Sequence, residues 1–348
     1  MSTQQLGSVL VVGGCGFVGY SIVSKLVNEP NCSVSVISRN PRHPRVVGVS
    51  YNACDITDIQ GLRTLIQQIQ PQIILRMASP HFYQDKVDEK LLHQVNVVGT
   101  RNLLDTAILT ESVKAFVYTS SNSVHAGSEF CFIMEDAPLP NEFSKADKYA
   151  TTKALADAMV LQANCREVRT LCILALLREK KTHFQLGDNT NLYDSIYVDN
   201  AASAHLMAAK ALLRDKASRP KVHGEAFFIT DGNPMPFWDF QREIWVAAGD
   251  KTPLTKVIIV PAWIGMLMAT VVEYVFWIFT FGQELPPKTM RRNVLRYAFT
   301  NRTFCINKAR ERLGYRPLVD TDVGIQRGVK WALENRGTHD ATEIDTGL

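Results

Sequence analysis

The chain has 348 residues, 46% of them hydrophobic, with 38 Lys and Arg against 34 Asp and Glu and a net charge of +4. That length supports one large domain or two modest ones around a substantial core, and the charge is too mild to point to nucleic acid. Cysteines at 15, 32, 54, 131, 165, 172 and 305 include no Cys-x-x-Cys pair, so free thiols in a reducing compartment are expected, and no metal site.

The first predicted element is the apolar run Val9–Val12, which leads straight into glycines and so reads as a strand rather than a signal peptide. Further strands are predicted at Ser33–Ser38, Gln72–Arg76, Ala115–Thr119 and Thr170–Leu174, with amphipathic helices near 17–28, 58–69, 88–109 and 147–164. Strand alternating with helix predicts an α/β fold, a doubly wound parallel sheet of Rossmann type. The dinucleotide-binding domain is expected over 1–175. Beyond it the alternation weakens and Pro and Gly recur, so 176–334 is expected to form mostly a smaller substrate domain, with elements near 195–212 returning to the sheet. Residues 335–348 form a polar tail.

In "VVGGCGFVG", Gly13, Gly16 and Gly19 fall three apart between the first strand and the first helix. A turn of this kind lets backbone approach a pyrophosphate seated on the helix N-terminus. The second strand ends at Ser38 and Arg39, where NAD enzymes place a carboxylate for the adenosine ribose. Without that carboxylate, and with an Arg in reach of a 2′-phosphate, NADP is expected over NAD. The alternative is that Arg39, Arg42 and Arg45 form a solvated loop.

Tyr149 and Lys153 stand four apart in "KYATTK", on one face of a predicted helix. A lysine cation beside a phenol favours the phenolate, which can take a hydroxyl proton near neutral pH. "FVYTSSNSV" ends a strand at the carboxyl edge of the sheet, where a Ser hydroxyl can hold a substrate oxygen.

With these motifs the chain resembles the 3-beta-hydroxysteroid dehydrogenase family of extended short-chain dehydrogenases. The matching stretches include "MASP", "NVVGTRNLLD", "YATTKALADAMVLQAN", "FQLGDNTNLYDSIYVDNAASAH", "GEAFFITDGNP" and "INKARERLGYRP". The resemblance implies Tyr149 as acid–base, Lys153 as its partner and Ser121 as third catalytic residue, with Ser120 and Ser123 as neighbours. It implies cofactor binding by Gly13, Gly16, Phe17, Val18, Gly19, Ser38, Arg39, Asp55, Ile56, Ala78, Ser79, Asn96, Thr119, Tyr149 and Lys153. Asp55 matches the residue on adenine, Ala78 and Ser79 the segment under the cofactor, and Asn96 and Thr100 residues that order the site. Alternatively Asp55 caps the helix from Thr57 onward and Asn96 is a buried turn former.

The implied activity is NAD(P)-dependent oxidation of the 3-hydroxyl of a C-4 carboxylated sterol or triterpenoid, followed by decarboxylation. A ketone formed beside that carboxylate accepts the electrons released as carbon dioxide leaves. A diverged dehydrogenase or ketoreductase of fungal terpenoid or steroid-antibiotic metabolism is an alternative, as is a relic that binds cofactor with little activity. Two departures motivate them. The family's Arg-Pro…Gly-Pro wall after the sixth strand, about twenty residues of a functional loop class, is missing from "RTLCILALLREKKTHFQLGD", where Leu174 stands near the family's Arg. The family's Val-His-Cys before Ala78 and Ser79 is here Leu75, Arg76 and Met77.

Pro261–Phe281 is apolar but for Glu273, and a run of about 20 such residues is long enough to span a bilayer. It reads as a core helix, a helix lying on a membrane surface, or a spanning helix. Trp263, Tyr274, Trp277 and the basic "KTMRRNVLR" that follows suit an interface. Expected partners are the sterol or triterpenoid, a membrane surface and other enzymes of a C-4 demethylation complex, without nucleic acid. The expected place is the cytosolic face of the endoplasmic reticulum or lipid droplet, with soluble cytoplasm as the alternative.

Overall fold

The computed structural model describes residues 5–41, 45–80, 88–125, 130–137, 148–165, 168–174, 184–214, 221–284, 286–287 and 290–334. In chain order the first half runs β1 (Gly7–Val12), α1 (Phe17–Leu26), β2 (Cys32–Ser38), β3 (Ser50–Ala53), α2 (Ile59–Ile69), β4 (Ile73–Arg76), α3 (Glu89–His93), α4 (Gly99–Leu109), β5 (Ala115–Thr119), β6 (Phe130–Ile133), α5 (Lys148–Gln162) and β7 (Arg169–Leu174). The second half runs β8 (Phe184–Leu186), β9 (Leu192–Tyr193), α6 (Val198–Leu213), β10 (Glu225–Phe228), β11 (Met235–Pro236), α7 (Phe237–Ala247), β12 (Ile258–Val260), α8 (Ala262–Thr280), α9 (Arg292–Tyr297), β13 (Arg302–Phe304), α10 (Asn307–Arg312) and α11 (Thr321–Glu334).

Seven parallel strands form one sheet in the order β10-β7-β5-β4-β1-β2-β3. Both of its faces are covered, so its strands are apolar at successive positions. Val9 and Val11 of β1 face the layer of α1 and α6, with Ile22, Val23, Leu26, Ala204 and Ala208. Leu10 and Val12 face the layer of α2, α4 and α5, with Leu62, Ile66, Leu103, Ala156 and Val160. The chain winds outward from β1 in both directions, so the switch point lies between β1 and β4. Ligands bind there, beyond the carboxyl ends of the strands.

The stretch expected near 195–212 is α6, fastened to the layer of α1 by Ser21 Oγ donating to Asp199 Oδ1 at 2.9 Å and Lys210 pairing with Glu29 at 2.7 Å. The helix expected over 88–109 is interrupted: α3 and α4 flank a π-helical turn, Gln94–Val98. Such wide turns recur at functional sites, and this one carries Asn96.

The remaining elements build a four-stranded sheet, β11-β9-β13-β6, and a two-stranded one, β12-β8. Asp194 ties β13 down: its backbone N–H donates to Arg302 O at 2.8 Å, and its carboxylate accepts the Phe304 N–H at 2.8 Å. Helix α8 is not a core helix. Only Gly265 and Ala269 are buried along it, and Trp263, Trp277 and Phe279 are 69%, 62% and 80% exposed.

Burial pushes the Asp194 carboxyl up to about 6, with Asp231 adding repulsion and the Phe304 and Thr230 hydrogen bonds opposing. A carboxyl raised in the fold favours the protonated folded state. Its contribution is full below the ordinary carboxylate range and is lost as pH rises through about 6. Asp194→Asn should therefore gain about 1–2 kcal/mol on the wild type between pH 5 and pH 8 in urea unfolding. Identical pH dependence of the two proteins would contradict this.

Candidate active site

The turn after β1 folds tightly against the sheet. Gly13 has φ +87°, and a Cβ there would lie 2.7 Å from the Ala78 backbone nitrogen across the switch point. A Cβ on Gly19 would meet Gly13 O at 2.1 Å, so α1 packs on the turn only with glycine there. Gly16 differs. A Cβ on it meets nothing nearer than Gly13 O at 3.4 Å, in an ordinary extended backbone with φ −78°. Its openness faces the N-terminus of α1, which has no side-chain cap and no acidic residue in its first turn. Free N–H groups and an approachable backbone suit a pyrophosphate. Phe17 at this end is 54% exposed and meets Trp331 at a tilt of 60° with ring centroids 5.8 Å apart, and Val18 packs against the core.

Gly13, Ser38, Arg39, Asp55, Ile56 and Ala78 line one pocket beside the turn, together with Val12, Ile37, Cys54 and Val95. Arg39 is exposed at its rim, whereas Arg45 is committed to its own loop, with Nε donating to Pro41 O at 2.7 Å and its guanidinium over Tyr51. Arg42 lies outside the described residues. Asp55 does not cap α2. Asp58 does, accepting from Gln60 N and Gly61 N, while Asp55 Oδ1 closes a turn on the Thr57 N–H and hydroxyl, both at 2.8 Å.

Two hydrogen-bonded chains converge on α5. In the first, Ser79 Oγ donates to Asn96 Oδ1 at 3.0 Å and Asn96 Nδ2 donates to Thr152 Oγ1 at 3.1 Å. Thr152 Oγ1 donates to Tyr149 O at 3.1 Å, and Thr100 Oγ1 holds Asn96 O at 2.5 Å. In the second, Lys153 Nζ donates to Thr119 O at 3.0 Å. Thr119 Oγ1 lies 2.6 Å from His205 Nε2, and His205 Nδ1 lies 2.7 Å from Ala201 O. Burial pushes His205 down to about 4, so the ring is neutral at pH 7. A carbonyl only accepts, so Nδ1 carries the proton and Nε2 accepts from Thr119.

Lys153 is 2% exposed, its ammonium 6.0 Å from the Tyr149 ring centroid and 5.0 Å from that of Tyr118. Asp157, one turn further along α5, is buried and accepts from Ser120 Oγ at 2.7 Å. Burial raises its carboxyl, against the pull of Ser120, Lys153 and Arg76. Ser120 is thus engaged below the site. Ser121 Oγ accepts from the Ser123 N–H at 3.3 Å and shares a proton with Ser123 Oγ at 2.8 Å. Arg76, His205, Thr152 and Asp157 were not assigned roles from the sequence. Asp157 had a signal, the Tyr149, Lys153, Asp157 spacing of four and four along one helix face. The segment 175–183, where the family wall is expected to be missing, lies outside the described residues, as do the side chains of 170–174.

Residues 10–176 and 170–258 match the 3-beta hydroxysteroid dehydrogenase/isomerase family. The chain belongs to this family. Among 3-beta hydroxysteroid dehydrogenase relatives, it is 33% identical to a Schizosaccharomyces pombe protein named sterol-4-alpha-carboxylate 3-dehydrogenase, decarboxylating, over 94% of this chain and 97% of that one. A Candida albicans protein of the same name is 30% identical over 96% and 99%. The fold matches that of the dTDP-glucose 4,6-dehydratase of Bacillus anthracis, solved with NAD, at a TM-score of 0.65 and 16% identity over 95% and 98% of the two chains.

The glycines separate two roles. Gly19→Ala should cost about 1–3 kcal/mol of stability, because its Cβ meets backbone. Gly16→Ala should unfold within ~0.5 kcal/mol of wild type yet weaken cofactor binding at least tenfold. Calorimetry and titration with reduced cofactor check this. An unstable Gly16→Ala, or one that binds normally, would contradict the assignment.

Proposed function

We propose that the protein oxidises the 3-hydroxyl of a C-4 carboxylated sterol or triterpenoid with NAD(P), and that the β-keto acid formed loses carbon dioxide. The observation that carries this is the buried Lys153 ammonium beside Tyr149, fixed at the carboxyl end of β5 in a dinucleotide fold. The full-length relatives named for this reaction supply the substrate class.

The residues here are suited to proton chemistry. Lys153 favours the Tyr149 phenolate, which takes the proton from the substrate hydroxyl. Ser121 and Ser123 offer hydroxyls at the carboxyl end of β5 to hold the reacting oxygen. A bound nicotinamide would supply the acceptor for the hydride that leaves the same carbon. Thr119, locked by neutral His205, keeps Lys153 in place. The C-4 carboxylate then departs as carbon dioxide, its bonding pair moving into the new ketone to give an enolate that is protonated.

Tyr149→Phe should lower kcat by at least 10³ while cofactor affinity stays within a few-fold, because only the proton acceptor is lost. Lys153→Ala should damage both. Near-normal turnover by Tyr149→Phe would refute the assignment.

The cofactor preference is NADP. Arg39 at the rim of the adenosine pocket and Ser38 in place of a carboxylate support it. A charge-assisted bond to the 2′-phosphate contributes about 1.5–3 kcal/mol, roughly ten- to hundred-fold in affinity. Titration of both cofactors should show that margin, and Ser38→Asp should reverse it. Equal binding, or tighter NAD, would refute the preference.

Helix α8 is read as lying on an anionic membrane surface on the cytosolic side. Its exposed Trp263, Tyr274 and Trp277 suit the interfacial layer, and Arg291, Arg292 and Arg296 follow it closely. Its single acid, Glu273, is neutralised by Arg292 Nε at 2.5 Å. The protein should float with phosphatidylserine-containing vesicles, and a Trp277→Glu, Phe279→Glu variant should not, with cofactor binding unchanged. Failure to float, or a dimer in solution that this variant breaks, would overturn the membrane reading.

A further inference from the structure

Arg76 ends β4, yet none of it reaches solvent. Its Nη2 donates to Val95 O of the π-turn at 2.8 Å, while Nε and Nη1 have no hydrogen-bond partner. Its guanidinium carbon lies 5.0 Å from the Tyr118 ring centroid, the same distance as the Lys153 ammonium. No carboxylate among the described residues pairs with it within 4.0 Å, and Asp157 Oδ1, in the same pocket of charge, also has no partner. A buried guanidinium without a counter-ion is strongly disfavoured. Tyr118 offers a π-face and Val95 a carbonyl, and both ease that penalty only in part. Arg76 and Lys153 share one carboxyl, Asp157, which burial biases toward its neutral form, so positive charge is left over. The acidic groups in electrostatic contact with Arg76 are the phenols of Tyr118 and Tyr149 and the carboxyl of Asp157.

We propose that Arg76 is an electrostatic positioning residue of the catalytic pair: its buried charge on β4 adds to that of Lys153 in holding Tyr149 as a phenolate, and Asp157 works against both. The proposal rests on the reading of Tyr149 as the acid–base and adds to it the charge balance that sets its working pH. Arg76 does not touch substrate. It acts from beneath the site, and by gripping Val95 O it also holds the turn that carries Asn96.

The other charged groups around Tyr149 do not supply this effect. On α5, Lys148 pairs with Glu89 of α3 at 3.8 Å, both more than 60% exposed and so screened. His93 of α3 is exposed. On α6, His205 is neutral behind Thr119. Tyr118 of β5 presents its ring to both cations and its phenol is in electrostatic contact with Arg76, so its titration is separated from that of Tyr149 by the Tyr149→Phe reference.

The test reads the Tyr149 titration directly in the purified full chain. Phenolate absorbance is followed against pH for each protein and for the same protein carrying Tyr149→Phe, and the difference isolates Tyr149. Arg76→Met should raise the midpoint by about one pH unit, and Arg76→Lys should restore most of the shift. Asp157→Asn should move the midpoint the other way. Packing damage predicts no such opposition of sign. Unmoved midpoints, or shifts in the same direction, would overturn the proposal. Should Arg76→Met fail to fold, Arg76→Gln is titrated in its place, and a midpoint that does not rise refutes the proposal. The pH–rate profile on a C-4 carboxysterol should shift in parallel. Absent turnover with opposed titration shifts intact would fault the substrate, not Arg76.

Discussion

A lysine ammonium buried at 2% exposure is the constraint around which the site is arranged. Such a charge persists only where carbonyls, π-faces and counter-charges replace water. Thr119 O, the Tyr118 ring and Asp157 do so here. The first two come from β5 and the third from α5 itself. The Thr119 carbonyl requires β5 to end where it does, and the ring requires Tyr118 to face α5 rather than α1. Tyr149 then follows by helix geometry, one turn before Lys153 on the same face. The acid–base and the fold are therefore parts of one arrangement: moving β5 by one residue would turn Tyr118 to the other layer.

The cofactor end obeys a second, steric constraint. Gly13 and Gly19 are glycines because the protein's own backbone occupies the space of a side chain. Gly16 is not held by any such neighbour, and its freedom lies at the uncapped end of α1. The same turn that lets α1 pack on β1 leaves a backbone surface for a pyrophosphate. Ala78, pressed against Gly13, leads to Ser79, Asn96 and Thr152, so the cofactor floor and the catalytic helix are joined by one run of hydrogen bonds.

Much of this was legible in the sequence, and the parts that were not have physical reasons. Five of the seven strands were marked by apolar runs between helical patterns. β3, "SYNA", lies at the sheet edge with a half-polar face, and periodicity does not mark so short an edge strand. β10 sits in the less regular half, and its pairing with β7 depends on chain far away in sequence. The π-turn at 94–98 is invisible to a helical period that it interrupts by a single residue. Tyr149 and Lys153 stood out because spacing alone puts them on one face. Arg76 stood out only as a departure from the family pattern, since a charged residue at a strand end ordinarily points to solvent. His205 carried no signal, because its partner Thr119 is 86 residues away.

The coupling of hydride transfer to decarboxylation is tested most directly by counting products. Purified protein is given a C-4 carboxysterol labelled in its carboxylate, with NADP, and reduced cofactor and labelled carbon dioxide are measured in the same reaction. One carbon dioxide per reduced cofactor is predicted, with the 3-ketone as the sterol product. Reduced cofactor with the carboxylate retained, or no reduction at all under saturating cofactor, would contradict the proposed function.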